Sequence, residues 1–486
     1  MNAPTTTNRM SLLVALFPVI ALIVMLAADV VWFGEDSSYG SNQMALLIAA
    51  LIAGGIGVSR GTKWKEIRDA IASSIGQATE AILILLLIGA LAGTWLMAGI
   101  IPAFIHYGLL ILQPGIFLFA ACVVCAVLSL ATGSSWGTVG TVGIALVGIG
   151  TALGLEEGWI AGAIISGAYF GDKLSPLSDT TNLAPAVAGT DLITHIKYMT
   201  ITTVPSIAIA LIVFLIVGFG GGATTTVNAG IAEGFGEAVG SIFNIHPGLF
   251  VAPITVLVLI AKKMPAVPAL FIGVLLGALT AVIFQPEAVQ MLAGEELSFG
   301  AAAYVASMKA MAVETSYTTN HVLADKLLSA GGMKGMMNTI WLIICAMTFG
   351  AVLQAAGMLK RITGALIAGV NNVFGLVART VGTCIAFNVL ASDQYIAIVV
   401  PGKMFNEAFE KQGLAPENLS RTLEDAGTVT SVLIPWNTCG VAQSGILGVA
   451  TLAYAPYCIF NWVSPLMSLL VAGLGYKLKY RDDAEG

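Results

Sequence analysis

Length and composition exclude a soluble fold. Of the 486 residues, 57% are hydrophobic and only 10% are charged, whereas soluble domains carry about 25% charged residues. The formal net charge of −6 is spread through loops and ends, so the chain lacks the concentrated basic face that nucleic-acid binding requires. We therefore predict an all-α polytopic membrane protein whose partner is the lipid bilayer and not a nucleic acid.

Apolar runs that could cross a membrane follow one another along the whole chain. A crossing helix needs about 20 such residues. The candidate runs are Ser11–Val31, Met44–Val58, Ala81–Ile101, Gly115–Leu130, Val142–Leu155, Trp159–Phe170, Tyr198–Gly218, Leu249–Ala261, Pro268–Phe284, Thr339–Met358, Thr380–Val400, Val429–Ala450 and Tyr457–Leu474. Because several are short or contain Gly and Pro, we expect roughly 11–13 transmembrane elements, some of them broken helices or re-entrant segments.

Lys and Arg are unevenly distributed among the connections. They cluster after the second run and at the C-terminal end, at Arg60, Lys63, Lys65, Arg68, Lys477, Lys479 and Arg481. The connections Phe33–Gln43, Pro102–Pro114 and Phe219–Pro247 contain neither residue. Because cytoplasmic loops carry the excess of Lys and Arg, we predict that both termini are cytoplasmic and that the Gln285–Met337 connection lies outside.

Two connections have a pattern typical of amphipathic helices that lie on the membrane or cap the protein. These are Ala229–Phe243 and Ala301–Leu328. A plain solvated connector is the alternative for both.

The stretch Ser166–His195 is polar although apolar runs lie on both sides of it. Its polar side chains include Asp172, Lys173, Ser175, Ser178, Asp179, Thr180, Thr181 and Asn182. Pro176 and Pro185 disfavour helix on their N-terminal side, and unwound backbone at membrane depth persists only inside protein or beside a wet cavity. Hydroxyl, carbonyl and carboxylate oxygens are the ligands that hard cations prefer. We predict a cation site here, and an aqueous loop is the alternative.

The two aspartates of this stretch have different sequence neighbours. Asp179 has hydroxyl and amide neighbours and no basic one, which makes it the better candidate for an ion ligand. Asp172 is followed by Lys173, and a structural ion pair between them is as reasonable as a functional role.

A second polar break interrupts the apolar stretch at Thr132–Thr141, which reads TGSSWGTVGT. Thr132, Ser134 and Ser135 offer further oxygens, and the glycines permit a kink. Small residues packed between helices are the alternative interpretation.

The C-terminal half repeats this arrangement. Asn388–Lys403 places Ser392 and Asp393 inside an apolar stretch, and Leu433–Gly448 continues with a second polar break formed by Pro435, Trp436, Asn437 and Thr438. Interrupted, polar segments at corresponding positions of two halves indicate an internal inverted repeat with a site near the membrane midplane. We therefore divide the chain into repeats of residues 1–245 and 246–486.

Asp393 is the aspartate placed most clearly within an apolar run. An ionisable residue inside the membrane is costly and indicates function by default. A carboxyl there can hold a proton or a sodium ion but not both, so competition for one site is sufficient to couple opposite fluxes. We accordingly name Asp179 and Asp393 as Na⁺ ligand candidates.

The run GDKLSPLSDTTNLAPAVAGTDLITHI and the run LIPWNTCG together resemble the NhaC family of sodium/proton antiporters. The resemblance implies Na⁺ extrusion driven by H⁺ entry, in a bacterial cytoplasmic membrane, on an inverted-repeat transporter fold. The resemblance also implies that the ion or substrate site includes Asp172, Ser175, Asp179, Thr180, Thr181, Asn182, Asn437 and Thr438. The family also includes exchangers that couple Na⁺ and H⁺ to malate and lactate, and the two motifs do not separate the groups.

Several alternatives remain open at the level of sequence. An organic-anion exchanger would need a compensating cation, for which Lys173 and Lys403 are candidates, or helix N-termini directed at the carboxylate. A channel would also use polar breaks. An enzyme is disfavoured because the one hydrolase-like string, Gly57–Gly61, ends an apolar run and lacks the required strand–turn–helix setting. We expect no cofactor, Na⁺ and H⁺ being transported ions. A small carboxylate and a second copy of the chain are further partners to consider.

Overall fold

The computed structural model describes residues 10–33, 40–111, 113–221, 235–262, 264–294, 296–319, 321–367 and 372–481. The helices of the N-terminal part are α1 (Leu12–Phe33), α2 (Ser41–Ser59), α3 (Trp64–Gln77), α4 (Thr79–Met97), α5 (Ile100–Ile111), α6 (Pro114–Thr132), α7 (Ser135–Thr138), α8 (Ile144–Ala152), α9 (Glu157–Leu174), α10 (Asp179–Ala188), α11 (Leu192–Phe219) and α12 (Phe235–Gly240). A π-helical turn, Val139–Gly143, joins α7 to α8.

The C-terminal part contains the remaining helices and two short strands. They are α13 (Val251–Ala261), α14 (Ala266–Phe284), α15 (Pro286–Ala293), α16 (Phe299–Ala312), β1 (Thr315–Ser316), α17 (Val322–Leu327), β2 (Ser329–Ala330), α18 (Gly332–Gly335), α19 (Met337–Ala355), α20 (Met358–Ile367), α21 (Val373–Leu390), α22 (Gln394–Lys411), α23 (Pro416–Leu423), α24 (Thr438–Leu447), α25 (Thr451–Tyr454) and α26 (Ile459–Leu474). A π-helical turn, Glu424–Thr428, follows α23.

The chain is a multi-pass α-helical membrane protein. Within the described residues, nine helices are long and apolar enough to cross a bilayer, or ten if the bent pair of α24 with Thr451–Tyr457 counts as one span. Three shorter apolar helices add to them, at Ile100–Ile111, Pro247–Ile260 and Ile459–Leu474. The expected number of elements is therefore reached only when the shorter helices are included.

The two polar breaks predicted in the C-terminal half interrupt the long apolar runs there. Thr380–Val400 is divided where α21 ends and α22 begins, with Ser392 in the left-handed region at φ 59°. Val429–Ala450 is divided at Ile434–Asn437, before α24. Hydropathy alone shows neither division, and the polar residues within the two runs mark them.

The predicted amphipathic helices also differ from the structure. Over Ala301–Leu328 the helix ends at Ala312, and Thr315–Ser316 pairs with Ser329–Ala330 in a small antiparallel ribbon. In α16 the buried positions Ala302, Ala306 and Ala310 recur every four residues, because small side chains let this helix approach α4 at Gly93. For Ala229–Phe243, residues 229–234 lie outside the described part, and α12 covers Phe235–Gly240.

Two helical hairpins enter the protein from opposite faces. The first is α6 with the segment Ser135–Ala152, and the second is α21 with α22. The first begins where α11 ends, since Gly115 lies against Phe219, and the second begins where α26 ends, since Gly473 lies against Phe374. The helices α11 and α26 pack side by side.

The directions of α11 and α26 show that the two hairpins are inverted relative to each other. Tyr198, in the first turns of α11, donates to the carbonyl of Lys477, just beyond the end of α26. At the opposite end, Trp159 contacts both Phe214 of α11 and Tyr457, which precedes α26. The two helices are therefore antiparallel, and the hairpins beside them have opposite orientations.

Each hairpin is followed by a broken helix of the same design. In the first half α9, with 18 residues, is followed by a turn and by α10, with 10 residues and a left-handed Gly189 at its end. In the second half α23 and two short turns run to Leu433, and α24 then has 10 residues and a left-handed Gly448. The fold is thus an inverted-repeat transporter with broken helices. The boundary between residues 245 and 246 stays a prediction.

Candidate ion site at the helix breaks

Four helices restart inside the protein, and each restart is capped by a polar side chain. The capping oxygens and their donors are Ser134 Oγ with Gly137 N at 3.0 Å, Ser178 Oγ with Thr181 N at 3.5 Å, Asp393 Oδ1 with Ile396 N at 3.0 Å, and Asn437 Oδ1 with Cys439 N at 3.0 Å. The first amides of a helix have no partner within it, so polar capping residues are needed to start helices away from water. This requirement explains the polar residues in both pairs of breaks.

In the first half, Asp172 joins the two breaks. It lies in the last turn of α9, and its Oδ2 accepts from the Ser135 amide at 3.2 Å and from the Ser135 hydroxyl at 2.6 Å. The hydroxyl of Thr181 donates to the carbonyls of Asp172 and Lys173, which holds α10 against the end of α9. The Asp172 side chain is 9% exposed, so it is buried but not sealed.

In the second half, the backbone joins the two breaks. The amide of Thr438 donates to the carbonyl of Ser392 at 2.9 Å. Asn437 Nδ2 donates to the carbonyl and side-chain oxygens of Asn388 at 3.0 and 3.1 Å, and Trp436 Nε1 donates to the carbonyl of Val389 at 2.8 Å. The tip of the second hairpin is therefore fixed to the start of α24.

The breaks of the two halves face each other. The α10 helix of the first half packs against α22, and α24 of the second half packs against the π-turn at Val139–Gly143. Asp393, at the start of α22, is 5% exposed, and Asp172, at the end of α9, is 9% exposed. Two nearly buried carboxyls, one from each half, thus lie at breaks whose helices pack against each other.

Other residues from the sequence prediction lie at the edge of this arrangement. Ser175 Oγ accepts from the amide of Leu177, and Thr180 shares a hydrogen bond with Ser178 at 3.2 Å. Asp179 and Asn182 are exposed on α10. Asn182 donates back to the carbonyls of Pro176 and Ser178, which closes the turn between α9 and α10.

Thr132 and Ser392 support the hairpin tips. The hydroxyls of Thr132 and Thr138 lie 3.4 Å apart across the first break. The Ser392 hydroxyl is buried, and it meets no hydrogen-bond partner among the described residues. Gly133 is left-handed at φ 71°, and a Cβ there would lie 2.6 Å from the Leu177 backbone, so only glycine fits where the first hairpin turns against the α9–α10 break.

Lys173 does not point towards these carboxyls. Its ammonium group pairs with Asp425 of the second half, and both side chains are completely buried. Lys173 also donates to Ser464 at 3.1 Å. Asp425 accepts further hydrogen bonds from Thr202, Ser464 and Ser468, so the pair is well satisfied.

Sequence reasoning missed three charged residues of this region, Arg421, Glu424 and Asp425. All three are fully buried. The predicted apolar run begins at Val429, four residues after Asp425, so these charges fall outside it. Their spacing of three and four residues places them on one side of a helix, immediately before apolar sequence and without a turn signal. That spacing was the available clue.

The donor set suits a hard monovalent cation. Among the described residues, no group of three or more His, Cys, Asp or Glu side chains is arranged to hold a metal ion. The breaks instead gather carboxylate, hydroxyl and carbonyl oxygens, which are the ligands of hard cations. One carboxylate oxygen of Asp172 accepts a hydrogen bond from the Ser135 hydroxyl, and one carboxylate oxygen of Asp393 accepts a hydrogen bond from the Ile396 amide.

Comparison with known proteins agrees with this architecture. Residues 167–476 match the sequence model of the Na⁺/H⁺ antiporter family. The chain is 36% identical to the Na⁺/H⁺ antiporter NhaC of Alkalihalophilus pseudofirmus, over 88% of this chain and 89% of that protein. It is 35% identical to the malate-2H⁺/Na⁺-lactate antiporter of Bacillus subtilis, over 90% of each. It is 34% identical to the arginine/ornithine antiporter ArcD of Halobacterium salinarum, over 97% of this chain and 93% of that protein.

The matched region contains the α9–α10 break, the second hairpin and the α24 break, together with Asp172 and Asp393. The match covers more than half of the chain, and the relatives are aligned over nearly their full lengths. The chain belongs to the Na⁺/H⁺ antiporter family.

Proposed function

We propose that this protein exchanges Na⁺ for H⁺ across a bacterial cytoplasmic membrane. The observation that carries the proposal is the packing of helix breaks from opposite halves, each of which holds a nearly buried carboxyl, Asp172 in the first half and Asp393 in the second. Intramembrane carboxyls are costly and serve transport in most proteins that retain them. The family supports the same exchange.

The site offers ligands that a partly dehydrated Na⁺ requires. Asp172 and Asp393 supply charge, Ser135 and Ser178 supply hydroxyls, and the carbonyls freed at the breaks supply neutral oxygens. Asn437 and Thr438, which start α24, hold the second hairpin beside this group. A proton on either carboxyl would remove the charge that attracts the cation, so Na⁺ and H⁺ exclude each other.

Alternating access would use the inverted hairpins. Because the two hairpins enter from opposite faces, rocking one half against the other can open the site first to one side and then to the other. The breaks within each half would move little relative to each other. Asp172 hydrogen-bonds across the two breaks of the first half, and the Ser392 carbonyl hydrogen-bonds across the two breaks of the second half.

Contacts near the ends of the chain support cytoplasmic termini. Arg361 donates to the carbonyl of Met10, and Lys479 pairs with Glu417 at 3.2 Å. Met10 and Lys479, near the two ends of the described chain, thus lie in or beside segments that contain Lys and Arg, and such segments remain in the cytoplasm.

The organic-anion alternative retains one supporting observation, the similarity to the malate/lactate antiporter. A carboxylate substrate would need a free cation or free helix N-termini in the site, and the four helix starts at the breaks are already capped by side chains. Lys173 is engaged by Asp425, and Lys403 is exposed on α22. Neither is available at the breaks, which favours the cation exchanger. The hydrolase-like string at Gly57–Gly61 ends α2 and leads directly into a turn before α3, a setting that supports transport over catalysis.

Proteoliposomes that contain a pH-sensitive dye test the proposal. A pulse of external Na⁺ should alkalinise the lumen without any organic solute, because each Na⁺ that enters is exchanged for H⁺ that leaves, and an equal pulse of choline should not. Parallel samples contain malate, lactate or arginine. A response that requires one of these solutes would replace the proposal with organic-solute exchange, and no response to Na⁺ in any sample would reject it.

A further inference from the structure

A column of buried polar side chains runs beside the ion site along α23 and its π-turn. It begins at Glu417, which is 8% exposed and pairs with Lys479. One turn further, Ser420 shares a 2.8 Å hydrogen bond with His195 Nδ1 of α11. The column continues through Arg421 to Glu424 and Asp425, all completely buried.

Glu424 is the unusual member of this column. Neither of its carboxylate oxygens meets a hydrogen-bond donor among the described residues, although its neighbour Asp425 accepts from four side chains. Arg421 stacks on the Tyr198 ring, 4.6 Å from its centroid, and its Nε lies 4.0 Å from Asp425. The fixed cations are therefore directed to Asp425 and not to Glu424.

A carboxylate ion at this position would be buried without hydrogen bonds, which is strongly unfavourable. The neutral acid avoids most of that cost. Asp425 differs because Lys173 and three hydroxyls compensate its charge. Two adjacent acids in one helical turn thus have different environments: one is a permanent ion in a salt bridge, and the other is suited to gain and lose a proton.

The groups that surround Glu424 are few. Lys173, Asp172 and Asp425 interact with it electrostatically. Arg421 lies one turn earlier, and His195 of α11 interacts with Lys173 and Asp425. The other elements packed against the π-turn present uncharged side chains to it, namely Ala184 and Ala188 of α10, Asn388 of α21, Ala397 and Ile398 of α22, and Ser464 and Ser468 of α26.

We propose that Glu424 carries the transported proton, at a position separate from the Asp172–Asp393 site that binds Na⁺. The inference rests on the proposed function. Asp172 and Glu424 are the chain neighbours of Lys173 and Asp425, and the buried ion pair between those two residues holds the neighbours near each other. An ionised Glu424 therefore strengthens Na⁺ binding, and a protonated Glu424 weakens it. Coupling then arises between two sites through the field, and direct competition for one carboxyl is not required.

Proteoliposomes of the full-length chain distinguish the two arrangements. Glu424→Gln is isosteric and mimics the protonated acid permanently. We expect Na⁺-driven proton movement to fall to the level of empty liposomes, while ²²Na⁺/Na⁺ exchange persists with a raised apparent KM and keeps only the pH dependence that the Asp172 and Asp393 carboxyls impose. Asp172→Asn should abolish both activities. Glu407→Gln, at an exposed position on α22, is the matched control and should behave as wild type.

The failures are distinguishable. If the wild type moves no protons in response to Na⁺, the proposed function itself fails. If Glu424→Gln moves protons as the wild type does, or folds but also loses ²²Na⁺/Na⁺ exchange, the separate proton site is contradicted. If Glu424→Gln does not fold, Glu424→Asp replaces it: a shifted pH profile of proton-coupled exchange supports the assignment, and an unchanged profile overturns it.

Discussion

Lys173 and Asp425 form an ion pair in which both side chains have no exposed surface. The pair joins the last turn of α9 to the π-turn of the second half, across 252 positions of sequence. It lies directly beside the ion site, because Asp172 precedes Lys173 in the chain. A fixed link between the halves therefore stands next to the carboxyl that we assign to Na⁺.

Removing one member of this pair should be worse than removing both. Lys173→Met leaves Asp425 buried with Arg421, 4.0 Å away, as its remaining cation, and losing one member of a buried pair costs about 3–5 kcal/mol. The double variant Lys173→Met with Asp425→Leu removes both ions of the pair and should recover part of that stability, because Arg421 then lacks its neighbouring carboxylate. Thermal unfolding in detergent measures both proteins. Additive losses in the double variant would show that the two side chains do not interact as a pair.

Asp172 and Ser135 should contribute differently to Na⁺ transport. Asp172→Asn removes the charge and should abolish exchange. Ser135→Ala removes only the 2.6 Å hydroxyl bond, and the Ser135 amide still supports the carboxylate. Loss of one hydrogen bond to a charged group is worth about 1.5–3 kcal/mol, so we expect a raised KM for Na⁺ with activity at saturation. An unchanged KM in Ser135→Ala would separate Asp172 from the ion site.

Asp393 caps α22 and is proposed to bind Na⁺, and a single substitution can separate these two roles. Its carboxylate starts α22 by accepting from Ile396, and we propose that it also contributes charge to Na⁺. Asparagine caps helices about as well as aspartate. Asp393→Asn should therefore keep the thermal stability of the wild type and lose exchange, whereas Asp393→Ala should lose both. Exchange that survives in Asp393→Asn would limit this residue to capping.

The turn of the first hairpin should tolerate no side chain. Gly133→Ala combines a left-handed backbone with a clash against the Leu177 backbone. Gly189 is the matched control, since it is also left-handed at φ 87° but has open space around it. We expect Gly189→Ala to cost about 1–2 kcal/mol and Gly133→Ala to cost clearly more, measured by thermal unfolding. Equal losses would show that the hairpin tip can shift away from α10.

Local signals in the sequence predicted the fold class and the position of the polar breaks. Composition and apolar runs identify membrane helices, and prolines and hydroxyl residues identify where they are interrupted. The tip at Ser392 was harder to place, because apolar residues continue on both sides of it. A re-entrant hairpin buried in protein has the same composition as a crossing helix, so over Thr380–Val400 only Ser392 and Asp393 indicated the break.

The partners of charged residues could not be read from the sequence. Neighbours along the chain suggested Asp179 over Asp172 and paired Asp172 with Lys173. In the structure Asp179 is exposed, Asp172 contacts Ser135, and Lys173 contacts Asp425. Helix packing brings these groups together from distant parts of the chain, and hydropathy does not predict which helices pack against each other.

Equilibrium binding of ²²Na⁺ to the purified protein tests the central claim most directly. If Asp172 and Asp393 form one site, the wild type should bind Na⁺ saturably, protons should displace it, and either Asp172→Asn or Asp393→Asn should weaken binding by about 2–5 kcal/mol, the cost of removing one member of a buried charged contact. Glu407→Gln should bind as the wild type does. Wild-type affinity in either aspartate variant would contradict a shared site between the two halves.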